Sequence, residues 1–423
     1  MRISVVGGGY VGLVSAACFA QLGHSVDLIE IDEGKVEAIN AGKPPIYEKG
    51  LGELLSKHVG VSLCAGAGYH RVWDTDISFI CVGTPPGPDG SADLSMVEEA
   101  SRSLGESLQE GGGYHVIVVK STVPPGTTER LVMPTVIRHS GGAGERIGFA
   151  MNPEFLREGL AVQDFMNPDR IVVGSSDPKA GDIVKSVYAG LNAPVLRVGL
   201  SAAEMIKYAS NAMLATKISF SNEMGNICKR LGVDVYEVMK GVGMDHRISP
   251  HFLNAGAGFG GSCFPKDVTA MIRLGERLGE DPVLLKSVIE VNERQPLRLV
   301  ELMEKRTGPL AGREVAVLGL AFKNDTDDVR DSRAVPVIEE LLRRGARVRA
   351  YDPLAAANMQ RIVPDIEYCD NAAGALRGAD GCLIMTEWPE FSRLDEEFGL
   401  MRSRVIIEGR KILSCEGAEG ICW

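Results

Sequence analysis

The segment Phe259-Gly-Gly-Ser-Cys263-Phe-Pro-Lys266-Asp267 places a thiol, an ammonium and a carboxylate within five positions, directly behind a pair of glycines. Glycine lets the backbone come close to a ligand, and a neighbouring cation favours the thiolate, the nucleophilic form of cysteine. A cysteine outside a disulfide is most often a buried small hydrophobe. The polar, glycine-rich surroundings of Cys263 weigh against that reading and point to a sulfur that forms an adduct.

A second group lies at the N-terminus. Gly7-Gly8-Gly9-Tyr10-Val11-Gly12 follows the strand-like Ile3–Val6 and opens an expected helix over Leu13–Leu22. Gly7, Gly9 and Gly12 have the spacing that permits a tight turn, close approach of a pyrophosphate and close helix packing. A second expected strand ends at Glu30, 18 positions beyond Gly12. A carboxylate there binds ribose hydroxyls and repels the 2′-phosphate of NADP, so NAD is the expected cofactor. The competing reading, a glycine turn with a solvated glutamate, leaves the strand–turn–helix–strand–acid order unexplained. Together the two groups imply hydride chemistry passing through a cysteine adduct.

Three further groups carry polar chemistry. In Asn152-Pro153-Glu154-Phe155-Leu156-Arg157-Glu158, Asn152 is expected to cap a helix whose first residue is Pro153, with Glu154 and Glu158 on one face. An acidic first turn that complements the helix dipole reads equally well. Lys207 and Asn211, four apart on a long expected helix, either leave the lysine snorkelling to solvent or form a donor pair for a developing oxyanion. Lys323 and Arg330 follow an expected strand, where open α/β sheets bind ligands. Arg410, after Val405–Ile407, should reach the same edge; as single residues each also reads as a solvated loop charge.

The elements that must position these groups fall into three blocks. Residues 1–198 alternate strands (Ile3–Val6, Val26–Ile29, Ile77–Val82, Val116–Val119, Ile171–Val173) with helices, as a parallel doubly wound sheet requires. Residues 199–305 are mostly helical, beginning with a helix capped by Ser201 and running toward Leu231. Residues 306–423 return to alternation through Val315–Leu320, a helix over Val335–Arg344, Arg347–Tyr351, Gly381–Met385 and Val405–Ile407. The fold class is therefore α/β: two Rossmann-like doubly wound domains joined by a central long-helix domain.

Composition narrows the function. At 423 residues the chain exceeds one ordinary core. Its net charge of −11, with no dense Lys/Arg block, argues against a nucleic-acid partner. No apolar run reaches the ~18–20 residues of a membrane span, and no cleavable signal precedes the first strand. Nine cysteines without a CxxC or zinc-finger spacing imply a reducing, cytoplasmic setting and no metal. Cys18, Cys81 and Cys382 read as core fillers.

These motifs, in this order and across essentially the whole chain, resemble the UDP-glucose/GDP-mannose dehydrogenase family. Phe264 after the cysteine, where GDP-mannose enzymes commonly have Leu, and Ser262 before it, where the N-acetylhexosamine branch usually has His, resemble the UDP-glucose branch. The resemblance implies NAD-dependent four-electron oxidation of the C6 alcohol of UDP-glucose to UDP-glucuronate, and a homodimer or larger homo-oligomer assembled on the central domain. It implies that Cys263 is the nucleophile, that Lys207 and Asn211 stabilise oxyanions, that Asp267, Thr122 and Glu158 surround a water, and that Glu154 assists thioester hydrolysis. It implies cofactor contacts from Tyr10, Val11, Glu30, Lys35, Thr84, Thr122, Glu158, Lys266 and Arg330. It implies substrate contacts from Glu154, Phe155, Leu156, Lys207, Asn211, Phe252, Leu253, Asn254, Phe259, Gly260, Lys323 and Arg410, with Arg247 reaching across the dimer. Glu30 stands where many relatives have Asp, and Asn254 where some have Lys. A two-electron β-hydroxyacid dehydrogenase would need neither Cys263 nor Lys323, and a silent nucleotide-sugar sensor would need none of Cys263, Lys207, Asn211 and Asp267.

Overall fold

Apolar runs in the first half of the chain become the strands of one eight-stranded sheet in a computed structural model that describes residues 1–414 and 417–423. Cys415 lies outside the described residues. The strands are β1 (Arg2–Val6), β2 (Ser25–Ile29), β3 (Leu63–Gly66), β4 (Ile77–Ile80), β5 (His115–Val119), β6 (Ile147–Met151), β7 (Ile171–Ser175) and β8 (Val195–Val198), in the order β3-β2-β1-β4-β5-β6-β7-β8. β4 and β5 are buried at every position, which is why they read as unbroken apolar runs: helices cover both faces. The order reverses between β1 and β4, opening a crevice at the carboxyl ends of the strands.

Two expectations need correction here. The sheet is not wholly parallel, because β7 joins β6 antiparallel through Ala150↔Ser175 and Met151↔Gly174. The strands β3, β6 and β8 escaped the sequence reading. Gly148 and Ala150 dilute the β-propensity of β6, and β8 is a half-exposed strand at the sheet edge.

By internal packing the chain divides into two compact units, Met1–Ser210 and Asn211–Trp423. The division falls inside one helix, Leu200–Leu231. Ser201 does not cap it; the helix already begins at Leu200, and the Ser201 hydroxyl donates to Glu129 at 2.8 Å.

The second unit contains β9 (Glu314–Leu318), β10 (Arg347–Tyr351), β11 (Glu367–Tyr368), β12 (Gly381–Ile384), β13 (Ile406–Glu408) and β14 (Ala418–Gly420), all parallel in the order β11-β10-β9-β12-β13-β14. The helices Val235–Gly243 and Val283–Thr307 pack against this sheet. Val235, Met239, Leu299 and Met303 share one core with Val315, Val317, Leu383 and Ile407. Leu320 and Met385, expected in strands, lie just past the ends of β9 and β12. No helix among the described residues is long and apolar enough to cross a membrane.

Candidate active site

In the first unit, the Gly-rich turn joins β1 to the helix Tyr10–Gln21 at the carboxyl edge of the sheet. Gly7 has φ +103°, and a Cβ on Gly12 would lie 1.8 Å from the Gly7 carbonyl oxygen, so helix and strand approach as closely as the motif allows. Gly9 is the N-cap, with no side-chain cap and open space before it. That is a cradle for a pyrophosphate at a helix N-terminus. Glu30, at the end of β2, is buried; its carboxylate accepts from the N–H groups of Gly8 at 2.9 Å and Asp32 at 3.0 Å. Its position directly beside the glycine turn fits the ribose hydroxyls of a dinucleotide. Thr84, beyond β4, donates to the Thr122 carbonyl beyond β5 at 2.9 Å, so both line the same edge. Lys35 is half-buried one turn into the helix Glu33–Asn40, and Val11 is half-buried in the fingerprint helix.

The acidic segment lies past β6 on that edge. Asn152 does not cap a helix: residues 152–157 are extended loop, and the next helix is Ala161–Met166. The Asn152 side chain is buried instead, donating to the Val172 carbonyl at 2.8 Å and accepting from Lys120 at 3.0 Å. Glu154 is thereby swung into the protein, where it meets the Lys207 ammonium at 2.9 Å and accepts the Leu156 N–H at 2.6 Å. Burial pushes the Glu154 carboxyl up, but Lys207 and the Leu156 N–H together hold it below the usual range. Lys207 does not snorkel; its side chain is 4% exposed. The Phe155 ring has Lys207 Nζ at 5.6 Å and the Arg170 guanidinium stacked at 3.9 Å. Leu156 and Glu158 are half-buried.

One residue of this edge was missed from sequence. Glu48 is buried, accepts the Gly159 N–H at 2.7 Å and is hydrogen-bonded by the Tyr10 hydroxyl. It ties the fingerprint helix to the acidic loop across 111 positions of sequence. No local pattern announces such a bond.

In the second unit, Cys263 is the N-cap of the helix Phe264–Arg277. It is half-buried, with the Ser262 hydroxyl 3.6 Å from its sulfur. The positive end of that helix favours negative charge at this position. Four residues on, the Asp267 carboxylate is 1% exposed and accepts from Lys266 Nζ at 2.6 Å and Asn211 Nδ2 at 2.7 Å. The sequence reading paired Asn211 with Lys207; the fold gives Asn211 a partner in Asp267.

The loop before the cysteine is pinned residue by residue. The Gly256 N–H donates to Asn222 at 2.7 Å, the Gly258 carbonyl accepts from Arg410 at 2.6 Å, and the Gly261 N–H donates to the Arg330 carbonyl at 2.9 Å. Asn292, another residue the sequence did not announce, grips Phe259 from both sides, accepting its N–H at 2.7 Å and donating to its carbonyl at 3.0 Å. A Cβ on Gly260 would lie 2.2 Å from the Asp331 carbonyl oxygen. Lys323, half-buried after β9, has its ammonium 5.9 Å from the Phe322 ring, whose edge covers Gly261. Arg410 and the Arg330 backbone therefore meet this loop, and Lys323 adjoins it through Phe322. Phe252 stacks edge-on to Phe264, and Phe259 does the same at 5.9 Å. Among described residues, the non-glycine positions with positive φ are Ser249, Phe252, Asp325 and Asp331, all in the loops flanking this site. Such conformations persist where surrounding structure imposes them, commonly at functional sites.

Other expected contacts stand apart. Arg247 is exposed and held by Asp245. The Arg330 guanidinium is exposed and bound to Asp328 at 2.6 Å. Asn254 is exposed, whereas Leu253 is buried in the core. Among the described residues, no group of His, Cys, Asp and Glu could hold a metal ion.

Comparison with known proteins finds one family along nearly the whole chain. Residues 1–192 match the NAD binding domain of the UDP-glucose/GDP-mannose dehydrogenase family, residues 201–294 its central domain and residues 316–415 its UDP binding domain. The chain is 48% identical to the UDP-glucose 6-dehydrogenase AglM of Haloferax volcanii, over 98% of this chain and 97% of that protein. It is 44% identical to the UDP-glucose 6-dehydrogenase TuaD of Bacillus subtilis, over 98% of this chain and 90% of the relative. The solved structure of a UDP-glucose dehydrogenase from the hyperthermophilic archaeon Pyrobaculum islandicum superposes with a TM-score of 0.95 at 47% identity, covering 100% of this chain and 98% of that one. Matched in all three of its domains, the chain belongs to the UDP-glucose/GDP-mannose dehydrogenase family.

Proposed function

We propose that this chain is an NAD-dependent UDP-glucose 6-dehydrogenase that oxidises the C6 alcohol to a carboxylate through a covalent adduct on Cys263. Two NAD molecules, bound in turn, would each accept one hydride, one for each oxidation. The proposed NAD contacts are Gly7, Gly9, Tyr10, Val11, Gly12, Glu30, Lys35, Thr84, Thr122, Glu158, Lys266 and Arg330. Phe155, Leu156, Arg247, Phe252, Leu253, Asn254, Phe259, Gly260, Lys323 and Arg410 hold the nucleotide sugar.

The protein's own groups carry the rest. The C6 hydroxyl gives up its proton to solvent as the first hydride leaves the carbon, and Lys207 and Asn211 donate to the C6 oxygen as negative charge develops on it. After the first hydride leaves, the Cys263 sulfur adds to the aldehyde carbon and the oxygen takes a proton, giving a thiohemiacetal. Loss of the second hydride and of that proton leaves a thioester. Water, held by Asp267 with Thr122 and Glu158 and assisted by Glu154, adds to the thioester carbon. The C–S bond breaks and the thiol is regenerated. Covalent capture keeps the aldehyde from escaping between the two oxidations.

The observation that supports this reading most is Cys263 at a helix N-cap, with Asp267 one turn on and bonded to both Lys266 and Asn211. A simple two-electron dehydrogenase needs neither the thiol nor the second parallel sheet. We place the working domains at 1–198, 199–305 and 306–423, in a cytoplasmic, reducing setting that suits cysteines outside disulfides. A homodimer is supported by Met213, Phe220 and Ile227, exposed apolar residues about two turns apart on the helix Leu200–Leu231.

The test is stoichiometric. Four electrons per sugar require two NADH for each UDP-glucose consumed; a ratio of one removes the thioester route. Faster turnover of GDP-mannose than of UDP-glucose in the same assay would reassign the substrate.

A further inference from the structure

Lys120 follows β5 and carries a charge that the chemistry above leaves unused. Its side chain is buried, and its ammonium touches only neutral acceptors: Asn152 Oδ1 at 3.0 Å, the Asn152 carbonyl at 3.5 Å and the Tyr188 hydroxyl at 3.2 Å. The rings of Phe165 and Tyr188 lie 5.9 and 5.8 Å away. No carboxylate of the described residues forms an ion pair with it. The charged or titratable groups that face it are Cys81, Glu154, Lys207, Cys18 and Tyr188. Among them Glu154 is the only carboxylate.

A buried ammonium on neutral partners is costly, and an apolar residue of the same shape is commonly neutral or stabilising in its place. The Asn152 side chain has other partners as well. Asn152 still donates to Val172 at 2.8 Å and accepts from the Tyr188 hydroxyl at 2.5 Å. We infer that Lys120 is a positioning residue for Glu154: it anchors the backbone two positions before that acid and adds a second positive charge to that of Lys207 in its surroundings. Burial lowers the Lys120 ammonium to about 8, so it is still charged near neutrality. Its charge, after that of Lys207, favours the ionised form of Glu154. The inference rests on the proposed role of Glu154 in thioester hydrolysis, where an ionised carboxylate is needed to accept a proton from water.

Lys120→Met, Glu154→Gln and the double variant test it by three measurements: unfolding temperature, kcat against pH, and the Glu154 carboxylate titration in the ligand-free protein. The last is read as an infrared difference between each protein and its Glu154→Gln counterpart. Lys120→Met should fold with an unchanged or raised Tm. Any gain should be full below about pH 8 and fade toward the free-lysine value near 10.4. The Glu154 titration and the acid limb of kcat should both move up, by roughly one pH unit. In the Glu154→Gln background, Lys120→Met should change neither kcat nor its pH profile. A fall in Tm with the Glu154 titration unmoved, or an equal loss of kcat with and without Glu154, would overturn the assignment and leave Lys120 a structural strut. The infrared measurement decides the role of Lys120 even if the protein fails to oxidise UDP-glucose, and two NADH per sugar with an unmoved titration sinks Lys120 alone.

Discussion

The Glu154 carboxylate and the Lys207 ammonium meet at 2.9 Å, with side chains only 6% and 4% exposed. A pair so placed behaves unlike a surface salt bridge. Each charge has lost its water, so removing one partner leaves the other buried and uncompensated.

Lys207→Met should therefore destabilise the protein by about 3–5 kcal/mol near neutral pH. The dependence on pH follows from the direction of the Glu154 shift. Its folded carboxyl is held below the ordinary range, so its contribution to stability is present above the free-glutamate value, near 4.3, and is lost as pH falls through the lower folded value. In the variant Glu154 can protonate, so the gap from wild type should narrow on acidification. Urea unfolding of the two proteins between about pH 7 and pH 4 checks this; a constant gap counts against the pairing.

Thiol reactivity should single out Cys263. Burial and Asp27 push the Cys64 thiol up to about 11, and burial raises Cys369 as well. Cys18, Cys81, Cys228, Cys382 and Cys422 are buried. Brief iodoacetamide treatment at neutral pH followed by peptide mapping should label Cys263 first among the described cysteines, and UDP-glucose should slow that labelling. Preferential labelling of Cys64 would contradict the proposed nucleophile.

Asn292→Ala should damage substrate binding without touching the cofactor edge. The substitution strands the buried N–H and carbonyl of Phe259, a loss of about 1–3 kcal/mol for each group. The KM for UDP-glucose should rise and that for NAD should stay put. Equal changes in both constants would mean that the whole fold had loosened.

Glu30→Ala removes the acceptor of the Gly8 and Asp32 N–H groups and the charge that repels a 2′-phosphate. Bonds to a charged acceptor are worth about 1.5–3 kcal/mol, so the KM for NAD should rise roughly tenfold or more while NADP becomes usable. Unchanged cofactor kinetics would dismiss the ribose role.

Sequence by itself determined the glycine fingerprint, the cysteine loop and the alternation that makes two sheets, one parallel throughout and one parallel except where β7 meets β6. Each depends on local chemistry: a residue without a Cβ at Gly12 and Gly260, an unbroken apolar run in strands such as β5, and a helical period along Leu200–Leu231. The tertiary structure alone decided where buried polar groups found partners. Asn152 had every local mark of a helix cap, yet its amide bridges Lys120 and Val172. Glu48 and Asn292 left no pattern at all, because their partners lie 111 and 33 positions away. A backbone period is fixed by neighbours in the chain. The partner of a desolvated carboxylate or amide is whichever group burial brings beside it, and only the folded chain makes that choice.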